Sequence, residues 1–156
     1  MNTAKRILLT SLVAVAAIAT RAQATIDLKG CVRTLVSHSA PVRVHLSVNG
    51  VETPLPVYGN GGFKVTVREG QIVVIRATCD GFISKEVAIN TENASLEKER
   101  RKVKFEVELE AQDSLGFRRY IYPVGQISFD RGTGRLLVQH NKTLFRDEQP
   151  LVARTP

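Results

Sequence analysis

The chain has 156 residues, of which 43% are hydrophobic, and its 22 lysines and arginines exceed its 15 aspartates and glutamates to give a formal net charge of +7. This length predicts one domain that buries a core of its own, so neither a metal nor a dense disulfide frame is needed for folding. No internal repeat of about 20–50 residues is visible, which argues against a solenoid array.

The first 24 residues have the order of a secretory signal peptide. Lys5 and Arg6 precede the apolar run 7–19, and "AQA" at 22–24 places small residues at the two positions that a signal peptidase reads. The run is shorter than the roughly 20 residues that span a bilayer. We therefore expect cleavage after Ala24 and an exported protein, periplasmic, surface-bound or secreted, without a transmembrane span. A short membrane anchor and a lipoprotein modified at Cys31 are the alternatives.

Much of the positive charge belongs to this leader. Without residues 1–24, which hold Lys5, Arg6 and Arg21, 19 basic residues face 15 acidic ones and the net charge falls to +4. Such a mild excess favours solubility over a nucleic-acid partner.

Alternation of apolar and polar residues dominates the chain after residue 24. It runs through 26–32, 42–48, 63–67, 73–79 and 103–109, and further strands are expected at 82–89, 121–129 and 135–139. One-sided alternation is typical of antiparallel sheets with one solvated face. We predict an all-β, antiparallel β-sandwich of about seven to nine short strands over residues 25–142, followed by a loosely ordered tail at 143–156.

Turn residues punctuate these strands. Asn49-Gly50 predicts a tight hairpin, and "DRGTG" at 130–134 predicts a longer one. Pro54 and Pro56 restrict the segment after the first hairpin to a loop or an edge strand. Residues 90–102 are polar and lack the apolar stripe of a packed helix.

The strands and glycines together resemble the carboxypeptidase regulatory-like domain family. The resemblance covers residues 25–109, and its marks are Gly30 and Val32, the alternating valines of 42–48, Gly62-Phe63, Gly70 and Gly81-Phe82. Ala40-Pro41 stands where the family places a glycine-alanine pair, and 37–40 lacks the usual turn glycine. The resemblance implies a transthyretin-like or Ig-like β-sandwich, grouped with carbohydrate-binding-like folds, that acts as an accessory module of secreted peptidases or outer-membrane receptors, or alone.

One segment combines basic and aromatic residues and is the candidate binding surface. It contains Phe117, Arg118, Arg119, Tyr120 and Tyr122, and Tyr58 is a further exposed aromatic candidate. Such residues stack on sugars or contact proteins. The alternative is that the tyrosines pack at the edge of the sandwich.

No catalytic, cofactor-binding or metal-binding residues are predicted. His38, His45 and His140 do not have the spacing of a zinc site, and no G-x-S-x-G elbow is present. We therefore predict a non-catalytic accessory or interaction module whose partner is an unknown protein or a glycan at the cell envelope. A carbohydrate-binding module is the alternative, and a small enzyme with an unrecognised site is a third.

The two cysteines differ in their alternation. Cys79 shares the inward face with Val73 and Ile75, whereas Cys31 shares the outward face with Lys29 and Arg33. Opposite faces disfavour a Cys31–Cys79 disulfide, since the two Cβ atoms must approach to about 4 Å. A bulge near Gly30 would leave the bridge open as an alternative.

Overall fold

The structure is a computed structural model that describes residues 24–36, 40–97, 100–112 and 118–146. The predicted signal peptide up to residue 23, His38, Phe117 and the tail from residue 147 lie outside these residues. These described segments contain eleven strands: β1 Thr25–Thr34, β2 Arg43–Val48, β3 Val51–Leu55, β4 Gly62–Arg68, β5 Ile72–Thr78, β6 Lys85–Asn90, β7 Arg100–Leu109, β8 Arg118–Tyr120, β9 Gly125–Phe129, β10 Leu136–His140 and β11 Leu144–Arg146.

Strands are the only regular elements of the described segments, which confirms the predicted all-β sandwich. The strand count exceeds the predicted seven to nine because β8 and β11, of three residues each, pair with one another as a small separate sheet. The second of them lies within the segment 143–156, where the sequence predicted no strand. Neither is long enough to display alternation.

Two sheets form the sandwich. The smaller has the order β4-β1-β7 and the larger has the order β10-β9-β6-β5-β2-β3. Most neighbours are antiparallel, but β1 pairs in parallel with β7, and β6 pairs in parallel with β9. Parallel neighbours need a long crossover connection, and in both pairs other strands intervene in the chain.

The core lies between the two sheets and uses the predicted inward faces. Residues of both sheets form one buried cluster, which includes Ile26, Leu28, Val32, Val73, Ile75, Ala77, Val103, Val107 and Leu109. Their neighbours in sequence are exposed or half-buried, apart from Asp27, which is buried on the outer face of β1. The alternation therefore assigned the faces of these strands correctly.

Gly30 makes room for an aromatic pair in this core. It lies in register with Phe63 on β4 and Phe105 on β7, whose ring centroids are 5.8 Å apart in an edge-on arrangement. A Cβ at residue 30 would lie 2.0 Å from Cζ of Phe63. The register of β1 is continuous from Thr25 to Thr34, so the bulge considered near Gly30 is absent.

The predicted turns close the hairpins. Asn49 and Gly50 have φ values of 50° and 87° and join Val48 directly to its partner Val51, and β3 with Pro54 is an edge strand. The loop 130–134 is closed by Asp130, whose Oδ1 accepts hydrogen bonds from N and Oγ1 of Thr133, both at 2.8 Å. These bonds hold the pKa of Asp130 below its usual value.

Candidate functional site

The connections at one end of the sandwich converge, and we call this the loop end. Strands β1, β5 and β7 end there, while β2, β4 and β6 begin there, as their registers require. Backbone hydrogen bonds join the connections, from N of Val32 to O of Gly61 at 2.9 Å and from N of Ile83 to O of Glu110 at 2.8 Å. The loop end is therefore built from segments 35–36, 40–42, 56–61, 79–84, 110–112 and 121–124.

A groove opens at the loop end between the turn after β5 and the segment around β8, and we call it the tyrosine groove. Its volume is about 380 Å³, and its walls include Phe82, Ile83, Ser84, Arg118, Arg119, Tyr120 and Tyr122. The turn is fixed against β7 by a hydrogen bond from N of Gln112 to O of Gly81 at 2.8 Å and by the bridge between Phe82 and Ala111. The turn side of the groove is therefore held by backbone pairing, while β8 on the other side pairs with β11.

The carboxylate of Glu110 organises one wall of the tyrosine groove. Its Oε1 accepts a hydrogen bond from Nζ of Lys85 at 2.7 Å and from the hydroxyl of Tyr120 at 2.8 Å. Nζ of Lys85 also lies 5.3 Å from the ring centroid of Tyr120, within cation–π range. These three residues, from β6, β8 and the end of β7, thus fix one another's positions.

The electrostatics of this wall follow from the same contacts. The hydrogen bond from Lys85, followed by that from Tyr120, holds the pKa of Glu110 below its usual value of 4.5. Burial, followed by the adjacent carboxylate, raises the pKa of Tyr120 to about 12. At neutral pH Glu110 is therefore ionised and Tyr120 is protonated, which suits a fixed hydrogen-bonded wall.

Arg118 brings a cation with spare hydrogen-bonding capacity to the groove. Its Nη2 donates to the carbonyl of Ala111 at 3.4 Å, and its buried Nε has no partner within the described residues. Buried polar groups are nearly always hydrogen-bonded, so a donor of this kind is a feature to be explained. Arg118 and the exposed Arg119 place two guanidinium groups along the groove, the kind of group that binds carboxylates and other acceptors.

The structure brings together four of the six predicted binding residues. Arg118, Arg119, Tyr120 and Tyr122 all line the tyrosine groove. Tyr58 lies at the loop end as well, but it lines a second groove of about 580 Å³ with 32–34, 40–42 and 57–61. Phe117 lies outside the described residues.

Sequence reasoning missed Lys85 and Glu110, which position Tyr120. They are 25 residues apart, and Glu110 is 10 residues from Tyr120, so no local pattern joins the three. The only signal is that each charged residue stands at the end of an alternating run. Residues at the ends of strands lie close together when those strands end at the same edge of the sandwich. Predicting this contact therefore requires knowledge of the strand order.

Large apolar side chains are exposed around the two grooves. Leu35, Val36, Tyr58, Ile121 and Tyr122 are each more than half exposed, and all belong to the connections of the loop end. Exposed apolar surface of this kind is typical of interaction sites. The alternative prediction, that the tyrosines of the basic and aromatic segment pack at the sandwich edge, describes the half-buried Tyr120 but not the exposed Tyr122.

The two cysteines are free thiols in different surroundings. Cys31 is half-buried on the outer face of β1, and its Sγ donates to the carbonyl of Asn60 at 3.4 Å. Cys79 is buried in the core cluster, and its Sγ lies 3.6 Å from the carbonyl oxygen of Ala40. Burial raises the pKa of the Cys79 thiol.

Neither the protein families nor the curated proteins provide a relative of this chain. The chain matches no protein-family model, and a search of curated proteins found no match. The resemblance to carboxypeptidase regulatory-like domains therefore stays a prediction from the sequence. Within the described segments, no helix could cross a membrane, and no group of three or more His, Cys, Asp or Glu side chains could hold a metal ion.

Proposed function

We propose that the protein is an exported, non-catalytic interaction module that binds a protein partner at its loop end. The proposal rests on the exposed side chains gathered there, which are Leu35, Val36, Tyr58, Ile121 and Tyr122. Tyrosine and arginine are the residue types that dominate binding energy at protein interfaces, and both line the tyrosine groove. The groove offers a recess for one side chain of the partner.

Two further observations support this role. The resemblance over residues 25–109 implies an accessory module of a peptidase or receptor in the cell envelope, and the order of residues 1–24 implies export. The Lys85–Glu110–Tyr120 contacts also suit a rigid wall, since preorganised surfaces bind with a smaller entropic cost.

Site-specific photo-cross-linking in the native host tests the partner. A photoreactive phenylalanine replaces Tyr58 or Tyr122 at the loop end, and Val51, which is at least as exposed and lies at the opposite end of the sandwich, is the matched control. We expect positions 58 and 122 to capture the same protein and position 51 to capture none. Equal capture at position 51, or no common adduct at the loop end, would contradict the proposal.

A glycan is the second candidate ligand. The observation that favours it is the exposed ring of Tyr122 beside Arg118 and Arg119 in a groove of about 380 Å³, because aromatic faces stack on sugar rings while arginines bond their oxygens. A glycan array decides between the two. Binding that is lost in Tyr122→Ala and retained in Tyr58→Ala would assign a carbohydrate and replace the protein partner.

Export is tested at the new N-terminus. Thr25 is the first residue of β1, and Ala24 contributes one backbone acceptor, since its carbonyl bonds N of Glu69 at 2.9 Å. Cleavage after Ala24 thus leaves the strand intact. Mass spectrometry of protein from the native host should find Thr25 first. An intact Met1, or a lipid on Cys31, would contradict soluble export.

A further inference from the structure

Three lysines form a row across the outer face of the small sheet. Lys29 on β1 is in register with Lys64 on β4 and with Lys104 on β7. Neighbouring strands are about 4.8 Å apart, so the three side chains leave the sheet within about 10 Å of one another. All three are exposed, and none forms an ion pair within the described residues.

More cations surround the row, and together they form what we call the basic face. It comprises the exposed side chains of Lys29, Lys64, Arg68, Arg100, Lys102 and Lys104. The carboxylate of this half of the sheet is Asp27, which is buried and accepts hydrogen bonds from Oγ1 of Thr66 at 2.8 Å and Nη2 of Arg100 at 3.1 Å. Among the described residues of this half of the sheet, six positive charges therefore face one negative charge.

The lysines of the row differ from several charged side chains elsewhere on the sandwich, which form ion pairs between strands. On the outer face of the large sheet, Arg76 pairs with Glu52 and Glu86 on other strands. On the small sheet beyond the lysine row, Arg33 pairs with Glu106 at 3.1 Å. Like charges placed directly opposite on adjacent strands are destabilising, so the unpaired row opposes folding. An external anion would remove that repulsion.

We propose that the basic face docks on the anionic surface of a phospholipid bilayer. Its cations extend in two directions, across three strands in the lysine row and along β7 at every second residue from Arg100 to Lys104. A planar array of this kind matches a layer of headgroup phosphates, to which each basic side chain near the surface adds attraction. The outward residues of this part of the sheet include no aromatic side chain. A hollow of about 310 Å³ lies beside Lys29 and Lys104, but its lining includes Glu106 and does not reach Lys64, so it does not guide a single polyanion chain along the row.

Vesicle co-sedimentation of the purified protein tests the proposal. The probes are vesicles of phosphatidylcholine with phosphatidylglycerol and vesicles of phosphatidylcholine alone, at low and high salt. The row variant is Lys29→Gln/Lys64→Gln/Lys104→Gln. The matched control is Arg131→Gln/Arg135→Gln/Lys142→Gln, which removes the same charge at exposed positions of the β9–β10 hairpin and its exit.

We expect binding to the anionic vesicles alone, and weaker binding at high salt because salt screens exposed charges. Loss of three surface cations should weaken partition of the row variant about 100-fold, while the control variant should stay close to wild type. The row variant should also unfold at a temperature no lower than wild type, because it removes a repulsion. Tyr122→Ala should leave vesicle binding unchanged, which separates this surface from the loop end.

Three results would overturn the proposal. Equal weakening in both triple variants would assign the effect to net charge rather than to the face. Undiminished binding by a folded row variant would exclude the row. Binding of a sulfated polysaccharide through the row, without binding to anionic vesicles, would replace the bilayer with a linear polyanion.

Discussion

Glu110 shows how one side chain positions the candidate site. A single carboxylate oxygen accepts hydrogen bonds from Lys85, whose side chain is 11% exposed, and from Tyr120 on β8. An ammonium group this buried needs a partner, since an unpaired buried charge is strongly unfavourable. The contacts at the groove wall therefore matter for stability as well as for ligand recognition.

Glu110→Gln should lower the free energy of unfolding by about 1–3 kcal/mol, because it leaves hydrogen-bonding groups near Lys85 imperfectly satisfied. Glu108→Gln is the matched control, an exposed change of the same type two residues earlier in the chain, and should cost less than about 0.5 kcal/mol. Urea unfolding at neutral pH measures both. Equal effects of the two variants would contradict the role assigned to Glu110.

The same substitution should be pH-dependent in a defined direction. The folded-state pKa of Glu110 is lower than its usual 4.5, so its stabilising contribution is complete above pH 4.5 and is lost as the pH falls through the folded-state pKa. The stability difference between wild type and Glu110→Gln should therefore be constant at neutral pH and shrink in acid. A difference that widens below pH 4.5 would show the opposite shift.

Gly30 is a second residue whose role depends on its neighbours across the sheet. Gly30→Ala should destabilise by about 1–3 kcal/mol, because the new methyl group overlaps the ring of Phe63. Gly125→Ala is the matched control, also a buried strand glycine, whose Cβ would meet Val87 at an ordinary 3.6 Å. Phe63→Leu should reduce the cost of Gly30→Ala in the double variant. Additive costs would show that the ring is not the obstacle.

At the scale of elements, the sequence predicted strands wherever one face is buried. The faces of β1, β5 and β7 follow because each apolar residue of the alternation enters the same core. Strands of three residues, such as β8, carry too short a pattern. The strand expected at 82–89 begins only at Lys85, because Phe82 instead bridges to Ala111 at the groove. The alternation indicates which residues of a strand are buried, but it does not indicate which strands pair with one another.

The β2–β3 hairpin gives the prediction at this scale. Gly50 has a φ of +87°, where a side chain costs about 1–2 kcal/mol, so Gly50→Ala should destabilise by that amount. Gly59→Ala is the control, since residue 59 lies outside the left-handed region and its Cβ would meet nothing within 4 Å. Thermal unfolding compares the two. A Gly59→Ala variant that loses as much as Gly50→Ala would show that the turn conformation is not the cause.

At the scale of the molecule, the strand order decides which side chains lie close together. The lysine row requires β1 to lie between β4 and β7, and the tyrosine groove requires the start of β6 and the end of β7 to lie near β8. The local composition identified the tyrosines and arginines as candidate binding residues, but the sequence pattern did not predict the order of the strands in the sheets. The net charge of +4 after residue 24 likewise does not reveal a face with six cations and one carboxylate among its described residues, because other acidic residues, such as Glu86 and Glu106, lie outside that face and pair with arginines there.

The two thiols test the arrangement of the whole sandwich. Cys31 is on the solvent side of the small sheet and Cys79 is in the core between the sheets, so the two should not be bridged. Alkylation of the native, unreduced protein with a mass tag should modify Cys31 alone, and unfolding in denaturant should expose Cys79 to a second tag. Cys31→Ser is the control and should take no tag until it unfolds. A wild-type protein of intact monomer mass that takes no tag in either state without reductant would contain the bridge, and β1 would then not have the register that places Lys29 between Lys64 and Lys104.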